Sequence, residues 1–202
     1  MIAQTAFNIF ESCIIDYHKY DSIDNTLHSA DLYQGIEKKL YLKNWIDCVQ
    51  WHCEDLIRNP DINPIEGMQL KRRIDALNQQ RTDLVEQLDD YFLDIFKNTQ
   101  VKESSGLSTE SPAWALDRLS ILALKIYHMN EEVHRADESL EYKQKVQSKL
   151  RVLLTQKEDL LISISLLLKN IERGDVVFKV YRQMKMYNDN EMNPVLRNSN
   201  TI

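Results

Sequence analysis

Several histidines in this chain are followed three residues later by a carboxylate, among them His18 by Asp21, His52 by Asp55 and His128 by Glu131. Residues three apart share a face of a helix, so each pair would present an imidazole and a carboxylate side by side. Those are ligand types for a divalent transition metal, and metal sites in helical bundles gather them from several helices. The order is the reverse of the Glu-x-x-His of di-iron bundles, so the spacing suggests a metal without matching a known centre. His52, Asp55, His128 and Glu131 are the candidate ligands, set against the plainer account of surface and core histidines.

A second concentration of chemistry runs from Asn44 to Asp55 and is dense in tryptophan, amide and acid. On a helix Asp47, Trp51 and Glu54 would share one face, with Trp45, Cys48, His52 and Asp55 on the neighbouring one. An acid or histidine packed against tryptophan acquires a shifted pKa, which makes this stretch the favoured location for an active site, although both tryptophans also suit a core. The candidate catalytic residues are His52, Asp55, Arg81 and Asp117, and the candidate ligand-binding residues are Asp47, Trp51, Arg81 and Arg118. Asp117 and Arg118 also read as members of local ion pairs. No nucleophile motif, phosphate loop, dinucleotide fingerprint or zinc-ribbon spacing accompanies them.

Long helices must position these groups. Phe7, Phe10, Ile14 and Tyr17 form one stripe over residues 3–20, and a second helix is expected over 31–58, with Gly35 as an irregularity near its start. Asn59-Pro60 ends it, because the residue before a proline is pushed from helical geometry. Asn63-Pro64 then caps a third helix reaching about residue 97, in which Leu70, Ile74, Leu77, Leu84, Leu88, Tyr91 and Ile95 keep heptad spacing. Residues 98–110 read as an exposed loop, Ser111-Pro112 as a fourth helix start, and 142–173 as a fifth helix stopped by Gly174. Val177, Val180, Tyr181 and Met184 share a face in a further short helix. The expected architecture is an all-α bundle of about five long amphipathic helices plus a short C-terminal helix, a single domain over 1–190 with 191–202 as a frayed tail.

Arg81, Asn130 and Lys157 interrupt these stripes at positions the heptads assign to the core. An unpaired charge there would be strongly destabilising, so each needs a partner. Either it fixes register or snorkels to solvent, or it helps form a cationic pocket for an anionic ligand between helices.

Composition narrows the classes. With 43% hydrophobic and 28% charged residues and only four glycines and four prolines, the chain suits amphipathic helices better than sheets. A net charge of -6 opposes contact with nucleic acid phosphates or anionic membranes. No apolar run approaches the roughly twenty residues of a membrane span, and no signal peptide is legible. Cys13, Cys48 and Cys53 show no disulfide or metal spacing and read as small buried hydrophobes in a reducing, cytoplasmic setting.

Five strings give the chain a family likeness. They are 44–47 (Asn-Trp-Ile-Asp) with Gln50, Trp51, His52, Glu54 and Asp55; 70–75 (Leu-Lys-Arg-Arg-Ile-Asp) with Asn78 and Arg81-Thr82-Asp83; 109–115 with 117–120; 125–129; and 179–188. Over nearly its whole length the chain resembles a bacterial family known as domain of unknown function four-two-five-four. The resemblance implies a helical cytoplasmic protein linked to envelope-glycan synthesis, and it assigns no residue a role. Arg73-Ile74-Asp75-Ala76-Leu77 with Arg81 is also similar to the first helix of all-helical chorismate mutases, a likeness that carries weight only if Arg81 lines a pocket.

Because heptads dominate, the leading functional expectation is a partner-binding or accessory protein, its partner being another protein or a second copy of the chain. The alternative is a metal-assisted hydrolase or small-anion-binding protein with a site between helices.

Overall fold

The protein is described by a computed structural model over residues 2–26, 28–183, 186 and 189–199. Five long helices form it: α1 (Ile2–His18), α2 (Gly35–Ile57), α3 (Pro64–Phe96), α4 (Pro112–His134) and α5 (Leu140–Glu172), with a short 3-10 turn at Ala30–Leu32 before α2. A six-residue α6 (Pro194–Ser199) follows. This is the all-α bundle that the heptads predict.

The helix starts are set by local chemistry. The Asn63 side chain accepts from the backbone N–H of Ile65 at 2.9 Å ahead of Pro64, and Ser111 and Ser139 do the same for Trp114 and Tyr142 at 3.3 and 3.1 Å. Each of these side chains satisfies a backbone donor that the first turn leaves open. Gly174 ends α5 with a φ of +72°, and an added Cβ would run into the carbonyl oxygen of Gln100. Only glycine fits that combination of left-handed backbone and close approach.

Packing proceeds through two helix pairs, α2 with α3 and α4 with α5. Short connections join the members of each pair. Helix α1 lies against α2, α4 and α5, and its Ala3, Ala6, Phe7, Phe10, Cys13, Ile14 and Tyr17 are all buried. The core continues through Tyr41, Cys48, Val85, Leu88, Phe92, Leu116, Leu119 and Ile164. All three cysteines are buried and free.

Three expectations need correction. Residues 176–178 form a strand, β2 (Val176–Phe178), where a short helix is predicted; it pairs in parallel with β1 (Gly106–Ser108), inside the stretch predicted to be a loop. After Gly174 turns the chain back, two β-branched residues and a phenylalanine lie beside a free backbone, and Phe178 buries its ring near Phe96 with centroids 6.4 Å apart. Met184, the last residue of the predicted face, lies outside the described residues. The short C-terminal helix occurs instead at Pro194–Ser199, within the stretch predicted to fray, where Asn193 accepts from the Val195 N–H at 2.9 Å. Finally, Asn130 is exposed, because the stripe of α4 has drifted off that position, and it needs no buried partner.

No helix among the described residues is long and apolar enough to cross a membrane.

Candidate functional site

Helices α1, α2 and α4 bring His18, His52 and His128 together, with one ring nitrogen of each within 4.8 Å of the other two. His18 is the last residue of α1, His52 lies in the C-terminal half of α2 and His128 in that of α4. Aromatic rings hold the cluster. Tyr17 stacks on His52 at 5.2 Å, Trp51 stacks on His128 at 5.1 Å, and Tyr127 lies 4.2 Å from His18.

The outer nitrogens are fixed by acceptors. His18 donates its Nδ1–H to the Ile14 carbonyl at 2.7 Å, and His128 donates its Nδ1–H to Glu131 Oε2 at 2.9 Å. In each neutral ring this leaves Nε2 as a bare lone pair. His18 Nε2 faces His52 Nε2 at 3.2 Å, and His128 Nε2 is buried with no hydrogen-bond partner. Burial is the main reason that His18 and His52 both lie below the ordinary imidazole pKa, and the rings' mutual repulsion adds to it. Three converging imidazoles, two oriented by a carbonyl or carboxylate behind them, could hold a divalent metal.

Of the four predicted metal ligands, His52 and His128 belong to this cluster, Glu131 stands behind His128 as its acceptor, and Asp55 lines a cavity instead. The nearer carboxylate is Asp21, whose Oδ1 is 3.7 Å from His52 Nε2. Asp21 has a φ of +47°, the one left-handed non-glycine residue among those described. Asp tolerates that conformation better than most residues, and such backbone strain concentrates at functional sites.

Arg81, predicted to need a partner, has one. Its Nε donates to Asp117 Oδ1 at 2.9 Å and its Nη2 to Asp117 Oδ2. Lys43, buried in α2, donates to Asp47 Oδ2 at 2.5 Å and to Asp117 Oδ1 at 2.8 Å. The Ser120 hydroxyl donates to Asp47 Oδ2 at 2.6 Å and accepts from Asn44 Nδ2 at 2.8 Å. Two cations and two carboxylates thus neutralise one another where α2, α3 and α4 meet. Burial pushes Asp47 above the usual carboxylate range, whereas Lys43 and Arg81 overcome burial at Asp117 and hold it below. Lys157, the third interrupting residue, lies over the Phe7 ring at 5.2 Å and 3.0 Å from Glu158.

Beside this network opens a cleft of about 400 Å³ lined by Asp47, Gln50, Trp51, Asp55, Arg81 and Ile121, with Glu54 and Arg58 at its edge. Trp51 therefore has the histidine cluster on one side and borders the cleft as well. The predicted site residues accordingly fall into two adjoining places rather than one cavity. Arg118 lies outside both: it is exposed, pairs with Glu110 at 2.7 Å, and borders an adjoining groove with Asp117 and Lys125 that shares Arg81 and Ile121 with the cleft. Arg81 does line a cleft, as the likeness to chorismate mutases would require, and Asp117 engages its Nε–H and one Nη2–H, so part of its fork is committed within the chain. Sequence reasoning missed Lys43, Asn44, Gln50 and Ser120 as members of the network and cleft, and it left His18 and Asp21 outside the ligand set. The i,i+4 spacing of Lys43 and Asp47 and the His18-Asp21 pair were the available signals.

No curated protein and no solved structure matches the chain. A family model described as "Protein of unknown function (DUF4254)" matches residues 37–180, which carry His52, His128, Arg81, Asp117 and the whole cleft. The chain belongs to the DUF4254 family.

Proposed function

We propose that the protein is a metal-dependent hydrolase whose centre is His18, His52 and His128. The observation that supports this reading is the convergence of three imidazole nitrogens, two of them with tautomers set by an acceptor behind the ring. Imidazole suits zinc and its neighbours among the divalent ions, and a three-histidine set leaves a fourth position for water. A metal lowers the pKa of such a water to about 7 in three-histidine zinc sites. Asp21, exposed and 3.7 Å from His52, is placed to accept the proton. The resulting hydroxide would add to the carbon or phosphorus of an ester, and the departing alcohol would take the proton back from Asp21. Binding to the apoprotein of one equivalent of cobalt(II), with an intense visible spectrum that disappears in His52→Ala, is the expected result. An untagged protein that takes up no stoichiometric zinc, cobalt or nickel would end this reading.

A second reading, a protein partner or second copy seated on α5, is favoured by Val152, Ile162 and Leu166, which share an outer face and are each more than half exposed. A concentration-dependent mass by light scattering, abolished in Ile162→Glu, would support it; a monomer at all concentrations would remove the homodimer.

A further inference from the structure

We infer that the cleft beside Trp51 binds a neutral polyhydroxylated small molecule, with two of its hydroxyls donating to Asp47 and Gln50. Asp47 is fully buried, and its Oδ1 has no hydrogen-bond partner. Arg81 Nε stands 3.5 Å from that oxygen, but its N–H is directed at Asp117 Oδ1, 2.9 Å away. Gln50 Oε1 is likewise buried without a donor, and its amide orientation is set by Nε2 donating to Asn78 Oδ1 at 3.2 Å. Asp47 and Gln50 are three apart on α2, so both acceptors belong to one face, and both line the cleft. A buried acceptor left unmade is costly, and the protein supplies no donor for either. A ligand in this cleft must bring at least two.

Charge selects the kind of donor. In the network beside the cleft Lys43 and Arg81 balance Asp47 and Asp117, and in the lining Arg58 pairs with Glu54 at 3.2 Å. Only Asp55 is left over, which opposes an anion, and a full cation would meet Lys43 and Arg81 behind the carboxylate it approaches. Neutral hydroxyls avoid both penalties. The apolar part of the cleft is the Trp51 indole with Ile121, a surface on which the C–H face of a saturated ring can lie. About 400 Å³ falls within the usual 300–1,000 Å³ of small-molecule sites. This inference does not depend on the metal centre, which lies across Trp51.

The test uses the full chain, isotope-labelled and kept in chelator so that no metal contributes. Methyl β-D-glucopyranoside is titrated while the Trp51 indole and Gln50 side-chain amide resonances are followed, with glucose 6-phosphate and spermidine as charged controls. Saturable shifts at both residues with the glucoside, weakened roughly tenfold in Gln50→Leu, are expected for the loss of one such hydrogen bond. Gln50 is only half-buried, so this variant keeps the fold, and its amide dispersion verifies that. Tighter binding of either charged control, binding unaltered in Gln50→Leu, or no shift with the glucoside at any concentration would overturn the inference, the last meaning that water alone satisfies the two oxygens.

Discussion

His18 Nε2 and His52 Nε2 face each other at 3.2 Å across α1 and α2, although the residues are 34 positions apart in the chain. Since the other nitrogen of His18 already donates to the Ile14 carbonyl, its Nε2 is an acceptor, and the contact is a hydrogen bond in which neutral His52 donates its Nε2–H. On the proposed reading a metal would displace that proton and take the Nε2 lone pairs of His18 and His52 together with that of His128.

Removing the acceptor behind a ligand should therefore weaken the metal without removing it. Glu131→Gln is expected to lower zinc or cobalt affinity by about 10–100-fold, as outer-shell changes typically do. His128→Ala should lower it further. Competition with a chromophoric chelator measures both, and an unchanged affinity in Glu131→Gln would separate Glu131 from the site.

Acid should destabilise the metal-free protein. His18 and His52 have folded-state pKa values below the ordinary imidazole value, so near neutral pH and below the unfolded chain binds more protons than the folded one. Their contribution is fully present above about pH 6.5, the unfolded value, and is lost as pH falls toward the folded values. Thermal melts in chelator should show the midpoint falling between pH 7 and pH 5, and less steeply in the double variant His18→Gln, His52→Gln.

The charge network at Asp47 is predicted to respond asymmetrically. Lys43→Met leaves two buried carboxylates with Arg81 as their only remaining cation, and it should cost about 3–5 kcal/mol in urea denaturation. Adding Asp47→Asn to Lys43→Met should recover part of that loss. A Lys43→Met protein as stable as the parent would show that burial of the ammonium is uncompensated in the native state.

Gly174→Ala tests the junction between α5 and β2. The added methyl group would occupy a left-handed residue and collide with the Gln100 carbonyl, so a loss above about 1 kcal/mol is expected. Calorimetry on the two proteins gives the difference directly.

Much of this architecture was legible because helix signals are local. Pro64, Pro112 and Gly174 mark termini that the structure keeps within a residue or two, and the stripe Leu70-Ile74-Leu77-Leu84-Leu88 predicts a helix that continues to Phe96. Strand pairing is not local: nothing near Gly106 announces that Val176 will lie beside it, and a run of alternating bulky residues at 177–184 fits a helical face equally well. The candidate site divides in the same way. Each histidine-carboxylate pair is visible in the sequence, but which faces of α1, α2 and α4 meet is a tertiary fact. That is why Asp55 was grouped with His52, and His18 was left out of the ligand set. Arg81 announced that it needed a partner, whereas the choice of Asp117, 36 positions away, depends on how α3 crosses α4.

The two three-residue strands have a kinetic consequence. Their pairing closes a loop that contains both α4 and α5, so the entropy of closure is recovered only after those helices have docked. The amides of Lys102 and Gly106, which donate to the carbonyls of Gly174 and Asp175, should therefore be among the last to gain protection from solvent exchange during refolding and among the first to lose it in the native state. Arg182, which pairs with Glu86 and Asp90 on α3, would be released in the same event.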